Sequence, residues 1–228
     1  MISLDQHREA LNQSGVEMLS LCRKQLENAR DAFFTHDSDL AEEVIRTENR
    51  VNALDLKIDR DCERFIALHN PVASDLRFVL ALRKINFDLE RVGDHAYGIS
   101  KYIIEVDTPI EDRLLEIMRV EEMFESALSM LDDITDAYIE ADAKLARKVF
   151  KKDKVLNKIN MKSFKIISTE VRINPESIDQ FLLLFSVIKK LERIGDLVTN
   201  IAEEIIFFRE AEVVKHRKKK TFKRGKEE

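Results

Sequence analysis

Two six-residue runs carry the most chemical information in this chain: Leu89-Glu90-Arg91-Val92-Gly93-Asp94 and Leu191-Glu192-Arg193-Ile194-Gly195-Asp196. In each, a Glu and an Asp stand four residues apart, so on a helix both carboxylates project from one face. Such a pair repels itself by roughly 0.2–0.5 kcal/mol. A second row of oxygen-bearing side chains lies upstream of each run: Glu48, Asn52, Asp55 and Asp59, then Asp153, Asn157 and Asn160. Steps of four and three keep each row on one helical face. Oxygen-only ligands on facing helices suit hard divalent cations, and carboxylates in helical bundles also build iron and manganese sites. The competing reading is a solvated charged face, with Glu90 and Asp94 paired to Arg91, Arg83 or Lys101. Recurrence at matching positions in both halves favours the cation site. Gly93 and Gly195 add to it. A helix-interior Gly costs about 1 kcal/mol relative to Ala, and here the missing side chain leaves room for a neighbouring helix or a ligand. A tolerated packing Gly is the plainer alternative.

The elements that must position these residues are helices. With 5 Gly, 3 Pro, no Trp and 36% charged residues among 228, the composition is that of long amphipathic helices. Asn70-Pro71, Thr108-Pro109 and Asn174-Pro175 read as helix starts, each a capping residue followed by Pro at the first helical position. Polar breaks at 35–39 and 140–143, the latter with Asp142 as cap, complete the division. Six helices are predicted, over about 3–35, 39–69, 71–106, 109–140, 143–172 and 175–212, folding back as antiparallel neighbours. A 3-4 apolar alternation marks the seam of the third (Leu82, Ile85, Leu89, Val92, Ala96, Ile99, Ile103). The sixth has its own (Leu184, Val187, Leu191, Ile194, Val198, Ile201, Ile205, Phe208). Residues 31–52 align without a gap on 136–157, and 89–99 on 191–201. The chain therefore reads as a duplicated three-helix unit. Its divisions are a first repeat over 1–106, a second over 107–214, and a basic tail over 215–228 expected to be disordered.

Charge narrows the partners. The tail carries eight Lys and Arg, whereas residues 1–214 hold 30 basic against 41 acidic side chains, a net charge of −11. An acidic body disfavours nucleic acid as the main ligand. Cys22 and Cys62 lie far apart with no metal-ligand spacing, as expected of buried, reduced thiols. The first residues show no apolar run of a secretory signal, and Phe181–Ile188 is too short to span a bilayer, so a cytoplasmic protein is expected. No phosphate-binding loop, nucleophile elbow or HExxH run is present, and His95 is read as a surface residue rather than a ligand.

The segment from Pro71 to Ile103, with PVASDLRFVLALRK followed by DLERVGDHAYGI, resembles the third helix of the PhoU family, and KKLERIGDLVTNIAEEIIF resembles that family's closing motif. The resemblance covers the chain up to about Lys215. It implies an all-α fold of two three-helix bundles, usually dimeric, and a cytoplasmic negative regulator of phosphate signalling rather than an enzyme. The implied partners are the ATPase subunit of the phosphate ABC transporter and a sensor histidine kinase, with contact to the membrane only through them. It also implies multinuclear clusters of iron or another divalent cation, manganese, magnesium, zinc and nickel included. These would be held by Glu/Asp-xxx-Asp motifs that fall here on Glu48-xxx-Asn52, Glu90-xxx-Asp94, Asp153-xxx-Asn157 and Glu192-xxx-Asp196. Asn52 and Asn157 stand where the motif calls for Asp, and a neutral carbonyl oxygen is the weaker ligand for a hard cation.

Two readings of other classes compete with a regulator. A carboxylate-bridged metalloenzyme usually carries Glu-x-x-His on core-facing helices, and no Glu here is followed three residues later by His. A structural coiled-coil scaffold would leave the repeated Gly and acid pair without a role.

Overall fold

The structure is a computed structural model that describes residues 3–106 and 109–214. It is all helical among those residues. The predicted tail lies outside them. Seven α-helices occur in the order α1 (Leu4–Thr35), α2 (Ser38–His69), α3 (Ala73–Glu105), α4 (Asp112–Met118), α5 (Val120–Ile139), α6 (Ala143–Ile173) and α7 (Ile178–Glu210). A single 3-10 turn, Pro175–Ser177, leads into α7. None of these helices is long and apolar enough to cross a membrane.

The duplication is visible in the turns. His36 (φ 52°) and Ala141 (φ 51°), at equivalent positions, adopt the left-handed conformation. The following Asp37 and Asp142 donate their backbone N–H to Ala32 O (3.1 Å) and Ala137 O (2.9 Å). Their carboxylates then cap α2 and α6, accepting from the backbone N–H of Leu40 at 3.0 Å and of Lys144 at 2.6 Å. Capping satisfies donors that the first turn of a helix leaves unpaired. The same hairpin is thus built twice.

Within the first repeat α1, α2 and α3 pack on one another, as do α5, α6 and α7 in the second. The repeats join through α3 against α7 and α1 against α5. The predicted seam of α3 is buried throughout; that of α7 is buried except for Phe208, which is partly covered. Both helices bury more than the seam, Ala81 and Ser100 on α3 and Leu197, Ala202 and Ile206 on α7 included, because each also faces the other repeat. Cys22 and Cys62 are buried and unbridged.

Three boundaries differ from expectation. The predicted fourth helix is two, α4 and α5, divided at Arg119, whose left-handed backbone (φ 56°) ends one helix and starts the next. Its N–H closes on Leu115 O and Glu116 O, which offsets part of the cost of that conformation in a residue with a Cβ. Asn70, expected to start the third helix, instead ends α2 in the left-handed conformation (φ 44°), and α3 begins three residues on at Ala73. Asn suits either end of a helix, and its tolerance of positive φ decided the outcome. Pro109 and Glu111 precede α4, which starts at Asp112 rather than at the proline.

Candidate metal centre

Glu48 faces inward from α2, 6% exposed, where the 3-4 alternation of Val44, Val51 and Leu54 turns that surface toward α1 and α3. Gln25 of α1 meets it, donating from Nε2 to Glu48 Oε2 at 2.8 Å. Glu48 Oε1 is buried and has no hydrogen-bond partner. Across from it on α3 lies Gly93. A methyl group there would stand 3.2 Å from Glu48 Oε2 and 2.9 Å from Gln25 Oε1. The carboxylate fills the space that the glycine leaves.

The second repeat reproduces this arrangement at Asp153, the equivalent of Glu48. Asn157 donates from Nδ2 to Asp153 Oδ2 at 2.6 Å, while Asp153 Oδ1 is buried without a partner. Gly195 of α7 faces it, and a Cβ there would lie 3.0 Å from Asp153 Oδ1. In both repeats one carboxylate oxygen is held by an amide and the other has no donor.

The second rows complete the two sites. Asn86 of α3 donates to Asp55 Oδ1 at 2.6 Å, and Asn160 of α6 donates to Glu192 Oε1 at 2.9 Å. The amide oxygens of Gln25, Asn86 and Asn160 are buried and likewise without donors. Such unpaired buried acceptors are uncommon and call for an explanation. Glu90 is half-buried and Asp94 exposed, Asn52 is exposed, and Asn157, Glu192 and Asp196 are half-buried. Each site therefore has a floor of covered oxygens and a rim of acidic side chains open to solvent.

The electrostatics agree. Burial, then the charge of Asp94, raises the Glu48 carboxyl above its ordinary value, with the amides of Gln25 and Asn52 acting the other way. Burial, then Asp94, Asp55 and Glu48, raises Glu90. Burial, then Asp196 and Glu192, pushes Asp153 up to about 6. Like charges share each site with few cations to balance them. The cations at hand balance these acids only in part: the charge of Arg91 offsets some of the rise at Glu90, and Arg83 is held by Asp59 of the same row. Arg83 pairs with Asp59 at 3.2 Å, Lys101 with Glu105 at 3.9 Å, and the Arg91 guanidinium lies over the Phe87 ring at 5.7 Å. In the second repeat Asp196 lies 3.5 Å from Arg193. His95, expected at the surface, is half-buried. Burial and the charges of Lys190, Arg91 and Arg193 hold its pKa down to about 4.

Among the described residues, no three carboxylate, His or Cys side chains are gathered closely enough to hold one ion as they stand. The donor set nonetheless suits a hard cation: the unpartnered atoms of Glu48, Gln25, Asn86, Asp153 and Asn160 are all oxygen acceptors. Two contributors escaped sequence reasoning. Gln25 sits on a helix with no acidic motif, and the part of Asn86 depends on which helix α3 packs against; neither has a local signal.

A duplicated helical unit with matched acidic sites defines a class, and comparison with known proteins supplies the family. The PhoU domain model matches residues 16–103 and again 120–205. The chain belongs to the PhoU family. It is 32% identical over 202 residues to the phosphate-specific transport system accessory protein PhoU homolog of Borreliella burgdorferi, covering 87% of this chain and 91% of that protein. With the PhoU accessory protein of Escherichia coli K12 the identity is 30% over 208 residues, covering 91% and 86%. The fold matches the crystal structure of PhoU from Pseudomonas aeruginosa with a TM-score of 0.84 at 28% identity, over 92% of this chain and all of that one. The PhoU structure from Streptococcus pneumoniae gives 0.83 at 28% identity, over 93% and 99%.

Proposed function

We propose that this protein is a cytoplasmic, non-catalytic regulator of phosphate uptake. It acts as a homodimer between the ATPase subunit of a phosphate transporter and a sensor histidine kinase, and it restrains starvation signalling when phosphate is plentiful. Family membership and the role of the relatives as transport accessory proteins support the transport part. The relatives' role as transport accessory proteins supports a non-catalytic reading. The test is a host lacking its own PhoU and carrying a phosphate-starvation reporter. Expression of this chain should return the reporter to its repressed level in high phosphate; a reporter that stays fully induced with the protein present would contradict the reading.

The acidic sites belong to the same proposal as cation sites, and the observation that carries it is the pair of unpartnered buried carboxylate oxygens on Glu48 and Asp153. Glu48, Asn52, Glu90 and Asp94 would hold metal in the first repeat, and Asp153, Asn157, Glu192 and Asp196 in the second. Iron, manganese or another divalent cation would supply the positive charge that each group of carboxylates lacks. Closing on an ion would need Glu192 to exchange its bond from Asn160 and Asp196 its contact with Arg193 for the metal, by side-chain rotation. Each repeat, divided from the other near residues 106 and 107, would carry its own site.

A further inference from the structure

One face of α6 has no counterpart in the equivalent helix of the first repeat. Lys144, Lys148, Lys151, Lys154, Lys158, Lys162 and Lys165 follow one another at steps of three and four, and every one is exposed. They form a single stripe about 31 Å long at 1.5 Å per residue. Lys144, at its end, lies within the electrostatic reach of Glu210. The other six form no ion pair with a described residue, whereas the neighbouring Lys152, on the flank, reaches Asp133 at 2.6 Å. Across the whole helix ten Lys and Arg face two acids, on a body whose net charge is −11.

The duplication provides an internal control. Helix α2 has the same place in the first repeat, and the positions equivalent to the seven lysines are Asp39, Glu43, Arg46, Asn49, Ala53, Lys57 and Arg60. The fold therefore does not require a basic surface here. Something other than packing accounts for seven like charges in a row, which repel along the helix.

We infer that this face of α6 is a docking surface for an anionic phospholipid bilayer. Three features select lipid over a protein or nucleic acid. The stripe is all lysine; protein interfaces are depleted in Lys and favour Arg, and Arg is also the usual reader of nucleic-acid bases. It is straight and lies on the outside of a bundle, matching a planar charged surface. Met161, 82% exposed, sits one turn from both Lys158 and Lys165, and Phe164, 70% exposed, is one turn further along. Apolar side chains beside a lysine row are the mixture by which interfacial helices enter headgroups, and clusters of four to eight basic residues on such helices bind anionic lipid. The molecule would lie with α6 against the membrane, which amends the expectation of contact only through partners. The inference depends neither on metal binding nor on the phosphate role.

Co-sedimentation with vesicles tests it. The full-length protein should bind vesicles of phosphatidylglycerol mixed with phosphatidylcholine, release as salt is raised, and ignore phosphatidylcholine alone. Each lysine near such a surface is worth about a fivefold gain in affinity. The variant Lys148→Gln, Lys151→Gln, Lys158→Gln, Lys162→Gln should thus lose binding by about several hundredfold, with unchanged helicity and melting. Met161→Ser with Phe164→Ser should weaken binding about threefold and leave its salt dependence unchanged. A control with Lys218, Lys219, Lys220 and Lys223 changed to Gln separates the basic C-terminal segment from the stripe and should retain stripe-dependent binding. Failure of the wild type to bind the acidic vesicles, or wild-type binding by the four-lysine variant, would overturn the inference. Tighter binding to duplex DNA than to the vesicles, lost in that variant, would reassign the face to nucleic acid.

Discussion

Gly93 of α3 lies directly against the Glu48 carboxylate of α2: a methyl group on the glycine would come within 3.2 Å of Glu48 Oε2. The second repeat places Gly195 against Asp153 in the same way, at 3.0 Å from Oδ1. The two glycines differ in what else they touch, and that separates their predicted variants. At Gly93 the nearest atom is the end of the Gln25 side chain. Gly93→Ala should gain up to about 1 kcal/mol in helix propensity and lose a similar amount by displacing Gln25, leaving stability near that of the wild type. At Gly195 the nearest atom is Leu156 Cδ1 at 2.5 Å, in the core. Gly195→Ala should therefore destabilise by about 1–3 kcal/mol. Denaturant melts of the two variants check the contrast; equal effects would mean that the leucine can move freely.

Glu90 and Asp94 contribute little to packing. Changing both to Ala should leave the metal-free protein as stable or more stable by a few tenths of a kcal/mol, since their mutual repulsion goes with them. The rise in melting temperature on adding manganese or iron should shrink by the share of the first repeat. A loss of more than about 2 kcal/mol without metal would show these carboxylates to be structural partners.

Much of the fold is legible in the sequence, and the missing parts share a cause. The seams of α3 and α7 can be read because period is a local property of the chain, and the cap Asp142 because its type and place before an apolar run suffice; at 35–39 the break is legible but the choice of Asp37 as cap is not. The internal repeat by itself pairs Glu48 with Asp153. The break at Arg119 has no signal, since neither Gly nor Pro marks it. The burial of Glu48 and the hydrogen bond from Gln25 depend on the packing of three helices, which no single stretch encodes. Asn70 carries a signal that fits both helix ends.

The Asp153 carboxyl gives a pH dependence with a definite sign. Its pKa is pushed from 3.8 up to about 6, first by burial and then by Asp196 and Glu192. A folded pKa above the unfolded one means that the folded state holds the proton more tightly. The stabilisation is complete below the unfolded value and is lost as pH rises through about 6. Metal-free wild type should therefore lose melting temperature relative to Asp153→Asn between about pH 4 and pH 7. Protons compete with metal, so affinity in the second repeat should fall about tenfold per unit below about pH 6. Parallel melting profiles for the two proteins would contradict the assignment.

Asn52 and Asn157 place a neutral oxygen where a carboxylate would add charge. Asn52→Asp should raise metal affinity of the first site about tenfold through charge count, at some cost to metal-free stability. Asn157→Asp should gain less, because Asn157 donates to Asp153 Oδ2 at 2.6 Å and a carboxylate there would repel it, whereas at Glu48 the Asn52 amide contributes less than Gln25. Calorimetric titration of both variants with manganese measures the order; equal gains would show that this bond does not matter to the site.

The most direct test of the paired cation sites is elemental analysis after loading with iron or manganese and desalting. Wild-type protein should retain metal; Glu48→Gln and Asp153→Asn should each lose the share of one repeat, and the double variant should retain almost none while staying folded. Wild-type protein free of metal, or a folded double variant with a full complement, would contradict the central claim that these two buried carboxylates anchor the sites.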